Sequence, residues 1–298
     1  MGLKALVLGS AAGGSFPQWN CQCPVCRLAW AGDPRVSFRT QASLAVTSGD
    51  GRWTLLNASP DLASQIRATP ALHPRGPQRG SPIAAMVLSG AEIDQITGLL
   101  HARESTAFSV FATEETHAAI KRNQMFSALT SVTWDTIIAG KTFALPGGIA
   151  AELFMVPGKV PLYLEAAKPE TAAVSGSNVG IELRYDGKTL LFVPGAADVN
   201  AALQARLSKA DVVLFDGTLF TDDEMIRTDA GAKTGRRMGH MPIEGEGGTL
   251  QKLAGLKARK VFIHINNTNP ILIEGSPERM RVTAAGWEIA EDGMEIAL

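Results

Sequence analysis

Cys21, Cys23 and Cys26 stand in one hexapeptide, Cys21-Gln22-Cys23-Pro24-Val25-Cys26, and are the only 3 cysteines of the chain. Thiolates so spaced can converge on one tetrahedral zinc, because Zn–S bonds of about 2.3 Å require the sulfurs to share a tight loop. In a reducing compartment such a cluster points to metal rather than to disulfides. With a fourth protein ligand and no bound water it is structural, which makes residues 19–27 a zinc knuckle. A second group is Glu92, Asp94 and Gln95, three oxygen-bearing side chains in a short polar turn. A third is His264, followed by Asn266, Asn267 and Asn269, a poor packing segment and a good site rim. Of the 5 histidines, His73 lies beside Pro74 in a loop, and His101 and His117 fall in predicted helices. Only His240 and His264 remain, so a histidine-rich dinuclear site cannot be assembled and any site is mononuclear or altered.

These groups need elements to hold them. Ala84 to Leu88 is an apolar strand, and from Gly90 the spacing turns helical, with Ile93, Ile96, Leu99 and Leu100 on one side. The polar turn therefore sits at a strand's carboxyl end, where α/β sheets place their sites, although acidic residues there also cap the next helix. The strand Lys260–Ile263 delivers His264, and the strand Val212 to Phe215 delivers Asp216 before a Gly turn, where a carboxylate can point into a cleft. Leu3–Leu8 is a strand whose Gly-rich exit lacks the helix a dinucleotide site needs, because Pro17 follows. Gln41–Thr47 and Trp53–Ala58 pair as a hairpin around Ser48-Gly49-Asp50-Gly51, ahead of a helix over Leu62–Ala68. Phe108–Ala112 is a strand followed by a helix from Thr113 to Phe126. Ala151–Val156 ends at a Pro157-Gly158 turn, Asn178–Arg184 and Thr189–Val193 follow as strands, and Gly248 to Leu256 is helical. Two strand-rich halves with helices predict an αββα sandwich, in α/β class, as a single domain over 1–298.

The chain is 45% hydrophobic and 19% charged, with a formal net charge of −1, which lacks the basic excess of a nucleic-acid binder. No apolar run reaches the roughly 20 residues of a spanning helix, and the N-terminus has no signal-peptide core. A cytoplasmic protein is expected, without nucleic-acid or membrane partners; a homodimer is left open.

The polar turn resembles a degenerate metal-binding turn of the metallo-β-lactamase superfamily, His-x-His-x-Asp-His, with Gly90, Glu92, Asp94 and Gln95 at its four ligand positions. The resemblance then widens. Leu8 to Gly14 with Phe16 to Cys21, Ala29 to Val36, Val156 to Leu162, Leu214 to Thr218 and His264 to Pro270 resemble the pyrroloquinoline quinone synthesis protein B family. That resemblance implies a metallo-β-lactamase fold, zinc on the three cysteines and a role in making pyrroloquinoline quinone (PQQ) from a Glu/Tyr-containing precursor. It implies a non-haem iron(II)-dependent hydroxylase of a small or short-peptide tyrosine-derived substrate, with iron on Asp94 and His264 and help from Glu92 or Gln95. The family has His where this chain has Gln95, which binds iron(II) more weakly. One imidazole with one or two oxygen donors falls short of the two-histidine, one-carboxylate face that suits iron and oxygen. His240 is then a neighbouring acid or base, Asp216 a further catalytic carboxylate, and Lys159, Arg236, Arg237, Asn266 and Asn269 hold substrate. Related phosphodiesterases put the fourth zinc ligand near Asn267. Two further readings are a non-catalytic carrier of the quinone or its precursor, favoured by the loss of His at Gln95, and a metal-dependent hydrolase.

Overall fold

The first part of the chain supplies β1 (Lys4–Gly9), β2 (Ser43–Thr47), β3 (Trp53–Leu56), β4 (Ile83–Val87), β5 (Phe108–Ala112) and β6 (Val132–Thr136). The second supplies β7 (Thr142–Leu145), β8 (Ile149–Gly158), β9 (Ala173–Tyr185), β10 (Lys188–Val193), β11 (Val212–Asp216), β12 (Arg259–Ile263), β13 (Trp287–Ile289) and β14 (Glu295–Ala297). The computed structural model describes residues 2–76, 78–167 and 169–298. Its strands form two seven-stranded sheets, β14-β1-β2-β3-β4-β5-β6 and β13-β12-β11-β10-β9-β8-β7. Each sheet is antiparallel on one side and parallel on the other: β3, β4, β5 and β6 run parallel, as do β10, β11, β12 and β13.

The helices are α1 (Pro24–Trp30), α2 (Leu62–Ala68), α3 (Ile93–Ile96), α4 (Glu114–Lys121), α5 (Ala201–Leu207), α6 (Glu224–Arg227), α7 (Thr249–Lys252) and α8 (Pro277–Ala284). Leu44, Val46 and Val87 of the first sheet meet Leu153, Ile181, Phe192 and Leu214 of the second in a core between the sheets. Leu62 of α2 and Ile120 of α4 cover the outer face of the first sheet. Cys26 of α1, Leu203 of α5 and Val282 of α8 cover that of the second. The expected αββα layering follows, because each sheet has two apolar faces to bury. No helix among the described residues is long and apolar enough to cross a membrane.

Several boundaries depart from expectation. The helix from Thr113 stops at Lys121, and a separate 3₁₀ turn covers Gln124–Ala128. Gly248–Leu256 yields only the single turn of α7. Pro157-Gly158 is no turn but the end of β8, where the register against β9 shifts. Ile93, expected on the buried side, is 56% exposed, because α3 lasts four residues before the chain tightens into a 3₁₀ turn at Thr97. Gly98 is what lets this segment dock: its N–H donates to the Ala58 carbonyl at 2.8 Å, and a Cβ there would lie 2.1 Å from the Ser59 carbonyl oxygen.

One polar cluster crosses the second sheet. Glu152 and Glu182 face each other across β8 and β9, where like charges repel. Arg206 of α5 bridges them, bonding Glu152 at 2.7 Å and Glu182 more closely, with its guanidinium 4.5 Å from the Phe154 ring centre. Both carboxylates are largely buried, and Arg184, 2.8 Å from Glu182 and 3.7 Å from Glu152, shares in neutralising them, so removing Arg206 leaves part of their charge uncompensated. Arg206→Met, with Arg184 still in place, should lower unfolding free energy by about 2 kcal/mol, seen as a lower urea midpoint at unchanged slope. An unaltered midpoint would refute the role given to Arg206.

Candidate metal centre

The knuckle closes around α1. The Cys23 sulfur caps this helix by accepting from the Cys26 N–H at 3.4 Å, and Pro24 occupies the first helical position, where no N–H is needed. Cys21, Cys23 and Cys26 bring their sulfurs within 4.8 Å of one another. Tetrahedral zinc at the usual bond length requires sulfurs roughly 3.8 Å apart, so the donor set fits. Asn267 lies against all three, its Nδ2 at 3.1 Å from Cys21, 3.3 Å from Cys26 and 3.9 Å from Cys23. This amide stands where the fourth ligand was expected, and its Oδ1 is the atom a cation would take. The hydrogen bond from Cys23 draws the Cys26 thiol down to about 6 against the cost of burial. The same bond, with burial, pushes Cys23 far up.

The second site lies where parallel strands end. β4 leads to Asp94 at the start of α3, β11 ends on Asp216, and β12 delivers His264, whose φ of 58° is the left-handed region that β-strand residues avoid. Asp94 Oδ2 and His264 Nε2 are 3.0 Å apart although 170 residues separate them in sequence. Both line a cavity of about 230 Å³ together with Gly13, Lys159, Asn178, Lys233, His240 and Asn266. Two donors at that separation suit neighbouring positions on one metal, whose bonds to N and O are about 2.0–2.2 Å.

Asp216, His240 and His264 also converge, with candidate donor atoms within 4.8 Å, but the Thr218 hydroxyl fills the space between them. It lies 2.6 Å from Asp216 Oδ1, 2.8 Å from His264 Nδ1 and 3.1 Å from His240 Nδ1. Asp216 is wholly buried, and its Oδ2 accepts from the Ala196 N–H and from His240 Nδ1 at 2.7 Å. A carboxylate only accepts, so Thr218 gives its single proton to Asp216 and both imidazoles must donate from Nδ1. With Nδ1 protonated, Nε2 is the nitrogen each ring turns to the cavity, and in His264 that atom meets Asp94 Oδ2 at 3.0 Å, a contact that holds either a proton or a shared metal. The rings stack at 5.2 Å. Burial resists ionising Asp94, Asp216 and His264 alike, but the mutual attraction of carboxylates and imidazoles prevails: both carboxyls are held below their usual range and His264 is raised.

The remaining expected residues are placed differently from one another. The Glu92 carboxylate takes Lys159 Nζ at 2.7 Å and the Leu162 N–H at 3.1 Å. Gln95 Oε1 accepts from the Glu92 N–H at 3.0 Å, so its amide is engaged in capping α3. Lys159 also meets Glu165 at 3.0 Å, and Glu165 in turn takes Arg237 at 3.2 Å. Arg236 is exposed and donates to the Glu246 carbonyl. Asn266 lines the cavity, whereas Asn269 is buried and ties the Gly217 carbonyl to the Ile271 N–H. Sequence reasoning passed over Thr218, Glu165 and Lys233. For Thr218 a signal existed, a hydroxyl two residues past a strand-end Asp, while Glu165 had none.

A model of the family described as "Beta-lactamase superfamily domain" matches residues 52–265. Coenzyme PQQ synthesis protein B of Methylobacterium nodulans is 48% identical over 99% of this chain and 100% of its own length. The protein of that name from Ruegeria pomeroyi is likewise 48% identical, over 99% of this chain and all of its own. The crystal structure of Zn(2+)-bound PqqB from Methylobacterium extorquens superposes with a TM-score of 0.97 at 48% identity, over 99% of this chain and 100% of that one. A diphosphatase of the PhnP family, 19% identical, shares the fold with a TM-score of 0.69 over 99% of this chain and 98% of its own.

If Thr218 fixes the His264 tautomer, Thr218→Val should weaken metal binding at the Asp94–His264 site by about 10- to 100-fold and leave the knuckle metal in place. Competition against a chelator, followed by metal analysis, reads both sites. Equal affinity in parent and variant would dismiss the tautomer argument.

Proposed function

The chain belongs to the coenzyme PQQ synthesis protein B family and so serves PQQ biosynthesis, and on that premise we propose that it is a metal-dependent hydroxylase of a tyrosine-derived Glu–Tyr precursor. The observation that carries this reading is the Asp94–His264 pair on the cavity wall, one carboxylate and one imidazole oriented through Thr218. These two would hold iron(II), with the knuckle cysteines kept for zinc. Iron(II), when bound, supplies the means of activating dioxygen for insertion into an aromatic C–H bond.

The chain's own residues do the rest. Asp216 accepts from His240 Nδ1 at 2.7 Å, which fixes the ring and leaves Nε2 as a proton acceptor beside the cavity. A carboxylate–imidazole pair of this kind suits removal of a proton from a phenol or from the ring carbon that gains oxygen. Glu92 acts through Lys159 and the Leu162 N–H, tying the segment after β8 to the start of α3 and so narrowing the cavity around Asp94. Gln95 holds the Glu92 backbone from the other side. Glu92 and Gln95 are engaged with Lys159, the Leu162 N–H and the start of α3, so of this chain's residues Asp94 and His264 alone would hold iron(II), one imidazole short of the two-histidine, one-carboxylate set.

The two histidines separate experimentally. His264→Ala should lose the cavity metal and all turnover of a Glu–Tyr precursor, with knuckle zinc retained. His240→Gln should keep that metal and lose about 10²- to 10⁴-fold in rate, read by metal analysis and product formation under air with excess iron(II). Should His240→Gln lose the metal, or turnover persist without His264, the assignment of roles is wrong.

A further inference from the structure

The cations around the cavity are not equivalent. Lys159 is held between Glu92 and Glu165, Arg237 is held by Glu165, and Arg236 lies outside the cavity lining. Lys233 lines the cavity, is exposed, and has no acidic partner among the described residues. It is therefore the cavity lysine whose charge is left for a ligand.

Asn266 belongs to the same wall. Its Nδ2 donates to the Thr268 hydroxyl at 2.7 Å and to the Met225 sulfur at 3.2 Å. With Glu224 ionised, Thr268 donates to it at 2.6 Å and accepts from Asn266, and the Met225 sulfur, an acceptor, faces the same nitrogen, which together orient the amide. Oδ1 is left as the acceptor that Asn266 can offer the cavity it lines. Lys233 and Asn266 share the wall of this one cavity.

We propose that Lys233 and Asn266 form a subsite for the free amino-acid end of the substrate, Lys233 taking the α-carboxylate and Asn266 Oδ1 the α-ammonium. A charged donor on a carboxylate and a neutral acceptor on an ammonium are the pairings these two groups can make. The inference deepens the hydroxylase reading and rests on it only for the choice of a tyrosine ring. It requires the substrate to reach the site as a free amino-acid terminus rather than inside a longer chain.

Calorimetry on full-length protein with zinc at both sites, under argon, tests it without turnover. The probes are L-tyrosine, L-tyrosinamide and N-acetyl-L-tyrosine. L-tyrosine should bind about tenfold more tightly than either blocked form. Lys233→Gln, an exposed position, should bind L-tyrosine as weakly as the parent binds the amide, while still preferring L-tyrosine to its N-acetyl form. Asn266→Asp should keep the preference for a free ammonium, and Asn266→Leu should lose it. Equal binding of all three probes to the parent, no binding of L-tyrosine, or an acid-over-amide preference surviving in Lys233→Gln overturns the subsite. Preferences as expected in a protein that never hydroxylates a Glu–Tyr precursor would support the subsite and count against the hydroxylase alone.

Discussion

Everything at this site depends on keeping Asp216 ionised where water does not reach. Its carboxylate is wholly buried, a placement that costs several kcal/mol unless each oxygen is satisfied. The structure meets that demand with two backbone N–H groups, from Ala196 and Thr218, one hydroxyl and one imidazole. The arrangement that compensates the charge also orients the site, because a saturated carboxylate dictates which atoms of Thr218, His240 and His264 carry protons. Asp94 then meets the outward nitrogen of His264, which a metal would share with it only by replacing the proton between them. A carboxylate that lies outside the cavity lining thus sets which nitrogens His240 and His264 turn toward the cavity.

The fold makes this economical. Each sheet runs parallel on one side, and parallel strands deliver their carboxyl ends together. β4 brings Asp94 from the first sheet and β11 and β12 bring Asp216 and His264 from the second, so the centre forms only when the two sheets are packed. The knuckle reinforces the same edge. Asn267 lies three residues after His264 and meets all three cysteine sulfurs, so the loop that carries His264 is also held at the knuckle. Zinc bound at the knuckle would therefore also help to position His264.

What could be read from the chain alone follows from how local each interaction is. The Cys21–Cys26 spacing is a contact within one turn, and a histidine at the end of an apolar strand is a local anomaly, so both stood out. The strands β4, β5, β11 and β12 were legible as apolar runs, whereas β6, with its exposed Thr133, and the three-residue β13 and β14 carry too little pattern to register. Pairings across long separations were hidden. Nothing in the sequence links Lys159 to Glu92, 67 residues away, so a lysine that is held by carboxylates looked like a free substrate anchor. Gln95 shows the same limit from the other side: read against a ligand pattern it was a weakened donor, but its carbonyl is occupied by the Glu92 N–H three residues before it. His240 was expected as a neighbouring acid or base; that it stacks on His264 and shares the Thr218 hydroxyl with it is visible only in the packed structure.

The central claim is that a single metal binds through Asp94 and His264 while Asp216 and Thr218 stand behind them. A crystal of the iron-loaded protein, with anomalous data collected on both sides of the iron and zinc absorption edges, tests this directly. The account predicts an iron peak within bonding distance of Asp94 Oδ2 and His264 Nε2, zinc confined to the three cysteines, and Gln95 still capping α3. Iron bonded to Gln95 or Asp216, or a cavity peak away from Asp94, would contradict it.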